Sequence, residues 1–466
     1  MSETQFADFI KQFPDFTSTS ELDQLRKTQY PLLEKESHIY LDYTGAGLYA
    51  SSQLDAHKKL LSESIFGNPH SWNPTSSHST ELVERTRARI LQFFNASPEE
   101  YVCVFTQNAS GALKLVGEAY PFGRGCRYLL TFDNHNSVNG IREYAHFRGA
   151  TVTYIPVVLP DLRSDESRLM EELTIPNDGC FNLFAYPAQS NFSGVQHPLE
   201  WITEAHERGW DVLLDAAAFV STNKLDLGRW QPDFVPLSFY KMFGYPTGVG
   251  VLIARKETLR KFSRSWFAGG TTTVASVRGN KFYAAEAPAG LEDGTLNYLN
   301  IPAVGIGLDH LENIGYEKIH TRVECLTGWL LKELSELKHA NGSSLVKIYG
   351  PLNTKDRGGT LALNIFDPQG RIIPKNLLEK EANSRKISIR MGFFCNPGAG
   401  EIALDISGEE LSSCFSRPSY ERRITDLDFQ NCIDPKASGA VRVSLGLVSN
   451  FSDVEAFLQF AGHFLE

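Results

Sequence analysis

The sequence predicts an α/β fold: a large domain built on a mainly parallel sheet with helices on both faces, followed by a smaller α+β domain. Three observations predict it. Short apolar runs alternate with segments of helical spacing from EYVCVFTQ through GVGVLIAR. Those runs are apolar on consecutive residues, the pattern of strands buried on both faces. Beyond residue 300 the texture changes to one long helical stretch and then a few isolated strands.

In chain order, FADFIKQF and SELDQLRK make the first forty residues polar and helical, and HIYLDYTGAG reads as a short strand with a Gly turn. TELVERTRARILQFFN has the spacing of an amphipathic helix. EYVCVFTQ is a strand, ASGALKLVGEAY a helix, CRYLLTF a strand, VNGIREYAHFRG a helix and TVTYIPVVL a strand. FNLFAYPA, DVLLDAAA, FVPLSF and GVGVLIAR follow as short apolar runs, with the helical LEWITEAHERG among them. AVGIGLDHLENIGYEKIHTRVECLTGWLLKELSEL is one long helical stretch. LVKIYG, TLALNIF and ISIRMG are strands, and SDVEAFLQFAGHFL closes the chain as a helix. The expected division is residues 1–40 as a helical segment joining the small domain, 41–300 as the large domain and 301–466 as the small one.

With 466 residues and 42% hydrophobic content, the chain is long enough for more than one core. A net charge of -10 argues against nucleic acid or an anionic membrane as the main partner. No apolar run approaches the roughly 20 residues of a membrane helix, and MSETQFADFIKQFPDF has no apolar core of a secretory signal. A cytoplasmic protein is expected. The seven cysteines are widely spaced, with no CxxC pair. Neither a zinc knuckle nor a disulfide scaffold is expected, no metal cluster of ligands is visible, and most of the thiols read as small buried hydrophobes.

The chemistry lies at the ends of the predicted strands. Asp215 ends DVLLD, and FVPLSF ends near Ser238 and delivers Lys241. In an open α/β sheet, strand ends face the ligand crevice. A strand-borne aspartate and lysine are what pyridoxal phosphate needs. The lysine forms a Schiff base with the aldehyde, and the aspartate keeps the ring nitrogen protonated. TQNASGALKLV offers Ser110 and backbone N–H groups at a helix start, an anion site. His135 follows the next strand, placed to stack on a ring. Each residue taken alone has a plainer reading. Asp215 would be a turn residue, Ser110 an ordinary cap, His135 a satisfied loop histidine, and Arg442 in VRVSLG an edge-strand arginine facing water. Cys395, in the Gly- and Pro-containing loop RMGFFCNPGAG, is an accessible thiol or a structural cysteine below a turn.

The stretches YLDYTGAGLY, FGNPHS, TQNASGALKLVGEAYPF, AYPAQSNFSGVQHPL, LLDAAAFVSTNKLDL, SFYKMFGYPTGVGVLIAR, FAGGTTT, LEDGTLNY, IRMGFFCNPGA and AVRVSLG together resemble the class V, fold-type I pyridoxal phosphate family. That family contains the cysteine desulfurases, and the similarity is greatest to its molybdenum cofactor sulfurase branch. The resemblance implies a mainly parallel seven-stranded sheet and a homodimer. Lys241 would be the Schiff-base lysine, Asp215 the partner of the pyridine nitrogen, and His135 the stacking residue that helps move protons. Ala109 and Ser110, with Ser238 and Tyr240, would hold the phosphate, and Thr271 or Thr272 would reach it across the dimer interface. Asn191 would lie near substrate and ring hydroxyl. Arg442 would clamp the substrate carboxylate, a task suited to a two-pronged donor, and Arg390 would line the same mouth. Cys395 would take the sulfur of L-cysteine as a persulfide, leaving alanine, and pass it to an acceptor, with Arg390 favouring its thiolate.

Ala218 and Tyr240 stand where many bacterial desulfurases have glutamine and histidine; the sulfurase branch that the chain resembles also has alanine and tyrosine there. Phe393 stands where that branch commonly has a second cysteine. The chain ends at Glu466, where the full sulfurase continues into a domain for the molybdenum cofactor. The expectation is a desulfurase without that domain. The competing readings are a C–S lyase, epimerase or aminotransferase that needs no Cys395, and a non-catalytic protein that kept the fold.

Overall fold

The structure is a computed structural model describing residues 3–69, 71–176, 179–417, 424–433 and 439–466. Counting only the strands of its two main sheets, the large sheet holds β1 (Tyr101–Thr106), β2 (Arg127–Thr131), β3 (Thr151–Ile155), β4 (Asn182–Pro187), β5 (Trp210–Asp215), β6 (Phe234–Ser238) and β7 (Gly250–Arg255). Their order is β1-β7-β6-β5-β4-β2-β3. Only β7 is antiparallel, to both its neighbours.

The apolar runs are explained by burial on both faces. Tyr101, Cys103 and Phe105 of β1 face one core with Val251 and Ile253 of β7, while Val102, Val104, Leu252 and Ala254 face the other. The helix Ala109–Ala119 covers the second face with Leu113 and Val116. Pro236 has no N–H to give β6, and the pairing of β6 with β5 is confined to Leu213 opposite Phe234.

The second sheet is antiparallel, with β8 (Val346–Tyr349), β9 (Thr360–Ile365), β10 (Arg390–Gly392) and β11 (Ala440–Ser444) in the order β8-β9-β11-β10. The N-terminal helices pack on this part of the molecule. Phe9 is fully buried against Phe16, Trp329 and Phe451. Arg322, also fully buried, donates to Asp23 at 2.7 and 2.8 Å and to the Thr19 carbonyl at 2.9 Å. Arg26 donates to Asp453 at 2.7 Å.

Several elements are subdivided. The long helical stretch breaks into Ile301–Ile314 and Tyr316–Glu336, because Gly315 takes a φ of +87°. In TVTYIPVVL, Pro156 ends β3, and Val157–Val158 pairs instead with Arg163–Ser164. ISIRMG serves two sheets: Ile387–Ser388 pairs in parallel with Ile39–Tyr40, and Arg390–Gly392 is β10. The cysteine reading is corrected at one point. Cys414 and Cys432 form a disulfide, joining the helices Gly408–Phe415 and Asp426–Ile433, whereas Cys103, Cys126 and Cys325 are buried free thiols. Spacing alone could not show a pairing that depends on how two helices meet.

Candidate active site

Strands β5 and β6 end side by side on Asp215 and Ser238, and the short helix Phe239–Phe243 begins at once, carrying Lys241. Gly244 ends that helix with a φ of +77°. Any Cβ there would lie 2.4 Å from the Leu48 carbonyl carbon. The Gly47 N–H donates to the Tyr240 carbonyl at 2.9 Å, so the DYTGAG segment straps the lysine helix down. Burial lowers the Lys241 amine below the ordinary lysine range, Asp215 opposes the shift and Arg442 adds to it. Asp215 Oδ1 accepts from the Ala217 N–H at 3.1 Å, the turn role, and the same residue lines the cleft beside Lys241.

Ala109, Ser110, His135, Asn191, Ser238 and Tyr240 line this cavity too, which has a volume of about 130 Å³. At one end the helix Ala109–Ala119 starts behind Asn108, whose Oδ1 accepts from the Gly111 N–H at 2.9 Å. The Ala109 N–H donates to Ser238 Oγ at 2.8 Å, and Ser110 Oγ shares a 2.7 Å hydrogen bond with Ser137 Oγ. Gly250 stands in register between Thr106 and Ser238. A Cβ on it would lie 2.5 Å from Asn108 Cα, so glycine is what lets the helix start settle on the sheet edge. His135 Nδ1 accepts from the Ser137 N–H at 3.1 Å, which leaves the ring proton to Nε2. Burial and the neighbouring Lys241 lower its pKa, which favours the neutral ring. A larger open groove of about 660 Å³ past Trp201 and Trp230 shares none of these residues.

Cys395 is exposed, on a loop where Phe394 and Cys395 both have a φ of +56°. Such backbone costs about 1–3 kcal/mol per residue and persists only where the surroundings hold it. Here the Phe394 carbonyl accepts from Asn191 Nδ2 at 2.7 Å, and the Cys395 carbonyl accepts from the Asn136 N–H at 2.6 Å. Asn396 Nδ2 donates to Asn191 Oδ1 at 2.9 Å and to the Asp133 carbonyl at 2.7 Å. The loop is therefore pinned to the segments that follow β2 and β4 of the large sheet, with its thiol within electrostatic reach of Lys241, Arg390 and Arg442.

Residues 39–457 match the family described as aminotransferase class-V. The chain belongs to that family. This class-V chain is 35% identical over 492 residues to the molybdenum cofactor sulfurase of Solanum lycopersicum, covering 98% of this chain and 59% of that one. It is 37% identical over 461 residues to the molybdenum cofactor sulfurase of Bos taurus, covering 94% and 51%. It thus spans about half to three-fifths of the length of these curated relatives. A cysteine desulfurase from Thermococcus onnurineus NA1 superposes with a TM-score of 0.76 at 24% identity, over 95% of this chain and 97% of that one. The Escherichia coli cysteine desulfurase CsdA gives 0.73 at 20% identity, over 96% and 99%. The fold is the fold-type I arrangement.

Within this class-V fold Arg442 is no edge-strand residue. It sits on β11 between β9 and β10, 3% exposed, with its guanidinium 4.9 Å from the Phe394 ring centre. Thr271 and Thr272 do not line the cleft of their own chain. Thr271 is buried, bonded to Ala268, and Thr272 opens the hairpin Thr272–Ser276 with Lys281–Ala284. His70 of FGNPHS lies outside the described residues. Sequence reasoning missed Asp42, which accepts from Arg442 Nη2 at 3.0 Å and from Arg390 Nη2 at 2.6 Å. It also missed Asn396, which binds the cysteine loop. The glycines around Asp42 were the available signal.

Proposed function

We propose that the chain is a pyridoxal phosphate-dependent cysteine desulfurase that moves sulfur from L-cysteine to Cys395 and on to an acceptor, acting as a cytoplasmic homodimer. The observation that carries the reading is the exposed Cys395 thiol, held by a pinned loop within electrostatic reach of the Lys241 amine. The donor set of the cleft fits the cofactor. The N–H groups at the start of Ala109–Ala119, with Ser110 and Ser238, suit a phosphate. Gly250 lets that helix start close onto the sheet edge, because a Cβ there would meet Asn108 Cα at 2.5 Å. Asp215 suits a ring nitrogen, and the His135 ring suits a planar partner. When bound, the cofactor supplies an aldehyde for a covalent link and a ring that takes up electrons released at Cα.

The residues do the rest. Lys241 would hold the cofactor through its amine, and the same amine is the group placed to take the Cα proton of the substrate; its lowered pKa favours the neutral form both tasks need. Arg442 receives the substrate carboxylate, and its Nε, buried without a partner among the described residues, is a donor in reserve. The Cys395 thiolate attacks the substrate sulfur, and the S–S bond forms as the Cβ–S bond breaks; the electron pair of that bond stays with the carbon skeleton, which takes up protons at Cβ and Cα and leaves as alanine.

The deciding experiment is product identity from L-cysteine and a reductant, for wild type and Cys395→Ala in parallel. Alanine and sulfide that depend on Cys395 are expected. Pyruvate and ammonia, or turnover indifferent to Cys395, would make the chain a C–S lyase instead.

A further inference from the structure

Arg442 and Arg390 stand directly opposite each other on β11 and β10. Like charges in register on neighbouring strands destabilise a sheet, the more so when one of them is buried. Asp42 resolves the conflict by bridging the two guanidinium groups: Oδ1 accepts from Arg442 Nη2 at 3.0 Å and from Arg390 Nε at 3.2 Å, and Oδ2 accepts from Arg390 Nη2 at 2.6 Å. Its own position is fixed by the segment around it. The Asp42 carbonyl accepts from Gly45 and Ala46 at 2.9 and 3.1 Å, and the Thr44 N–H donates to Ser444 Oγ at 2.9 Å. Gly45 is needed for this geometry, because a Cβ there would lie 2.6 Å from Asp42 Oδ2 and 2.7 Å from Arg390 Nη2.

The two arginines are held unequally. Arg442 also donates to the Asn191 carbonyl at 3.1 Å and rests on the Phe394 ring, so Asp42 is not its only support. Among the described residues, the hydrogen bonds of the Arg390 guanidinium all go to Asp42, and half of that side chain is exposed. Among these three side chains, two positive charges and one negative leave a single net positive charge.

We infer that Asp42 sets the charge count of the substrate site, matching it to ligands with one carboxylate and turning away those with two by keeping Arg390 neutralised. The inference rests on Arg442 being the carboxylate partner in the proposed reaction.

The test measures binding of L-alanine and L-aspartate to the holoenzyme by the change in cofactor absorbance. Wild type should favour alanine. Asp42→Asn should shift the aspartate-to-alanine affinity ratio toward aspartate by about tenfold or more, and Asp42→Glu should keep the wild-type ratio. Asp42→Asn combined with Arg390→Ala restores one net charge and should restore the ratio. Arg390→Ala alone removes the net charge and should weaken alanine binding, a result that stands even if Asp42→Asn does not fold. An unchanged ratio in folded Asp42→Asn, or unchanged alanine binding in Arg390→Ala, overturns the inference and leaves the desulfurase reading intact. Alanine binding unchanged in Arg442→Ala would instead remove the carboxylate reading, and the inference with it.

Discussion

Lys241 is held between opposed influences. Burial and Arg442 push its proton off, while Asp215 holds it on. The neutral amine should therefore appear at a lower pH than the ordinary lysine value of 10.5. In cofactor-free protein, competitive acylation of Lys241 across a pH series should give a midpoint below 10.5. Asp215→Asn should move that midpoint lower still, and Arg442→Ala should move it up. A midpoint at or above the ordinary value would contradict the burial argument. In the cofactor-loaded protein, Lys241→Ala should leave no borohydride-reducible link to the chain. Lys241, Asp215 and Ser238 were legible because strand ends can be read from sequence and ligand crevices lie at strand ends. Asp42 was not. Its meaning comes from two arginines on strands more than three hundred residues further along the chain, and the local text shows only a glycine turn.

At the scale of elements, the strap from Asp42 to Gly47 and the lysine helix make one unit, and glycines set how closely they approach. Gly244→Ala combines a positive φ with a clash against the Leu48 and Tyr49 backbone. Gly294 has nearly the same φ, +75°, but open space around the position of a Cβ. Gly294→Ala should cost only the backbone term, about 1–2 kcal/mol. Gly244→Ala should cost more and should also displace Lys241, lowering turnover together with the melting temperature. Equal losses in the two variants, by urea denaturation, would show that the close approach is unimportant. Phe9→Ala should cost about 3–5 kcal/mol, because a fully buried ring among Phe16, Trp329 and Phe451 leaves a cavity when removed. The large-sheet strands were legible because burial on both faces writes an unbroken apolar run. The breaks at Pro156 and Gly315 were less so, since one residue there decides between continuing and stopping. The sharing of ISIRMG between two sheets and the Cys414–Cys432 pair depend on partners far away or on how elements pack, which a linear pattern does not record.

For the whole molecule, the hairpin Thr272–Ser276 with Lys281–Ala284 carries an argument about assembly. Val277 at its turn is 99% exposed, Val274 and Tyr283 are each 57% exposed, and Trp266 and Phe267 just before it are also open to solvent. Exposed apolar side chains gathered on one element mark a candidate contact surface. In the homodimer proposed above the partner would cover it, and Thr271 and Thr272 at the hairpin base would reach the partner's cleft. Sedimentation should find wild type as a dimer. Val277→Asp combined with Tyr283→Asp places charge in the contact and should yield monomers that lose cofactor on dialysis. Lys241→Ala, which alters no hairpin residue, should stay dimeric. A monomeric wild type, or a monomeric double variant that keeps its cofactor as well as wild type does, would separate the hairpin from the cofactor site and leave each cleft complete within its own chain.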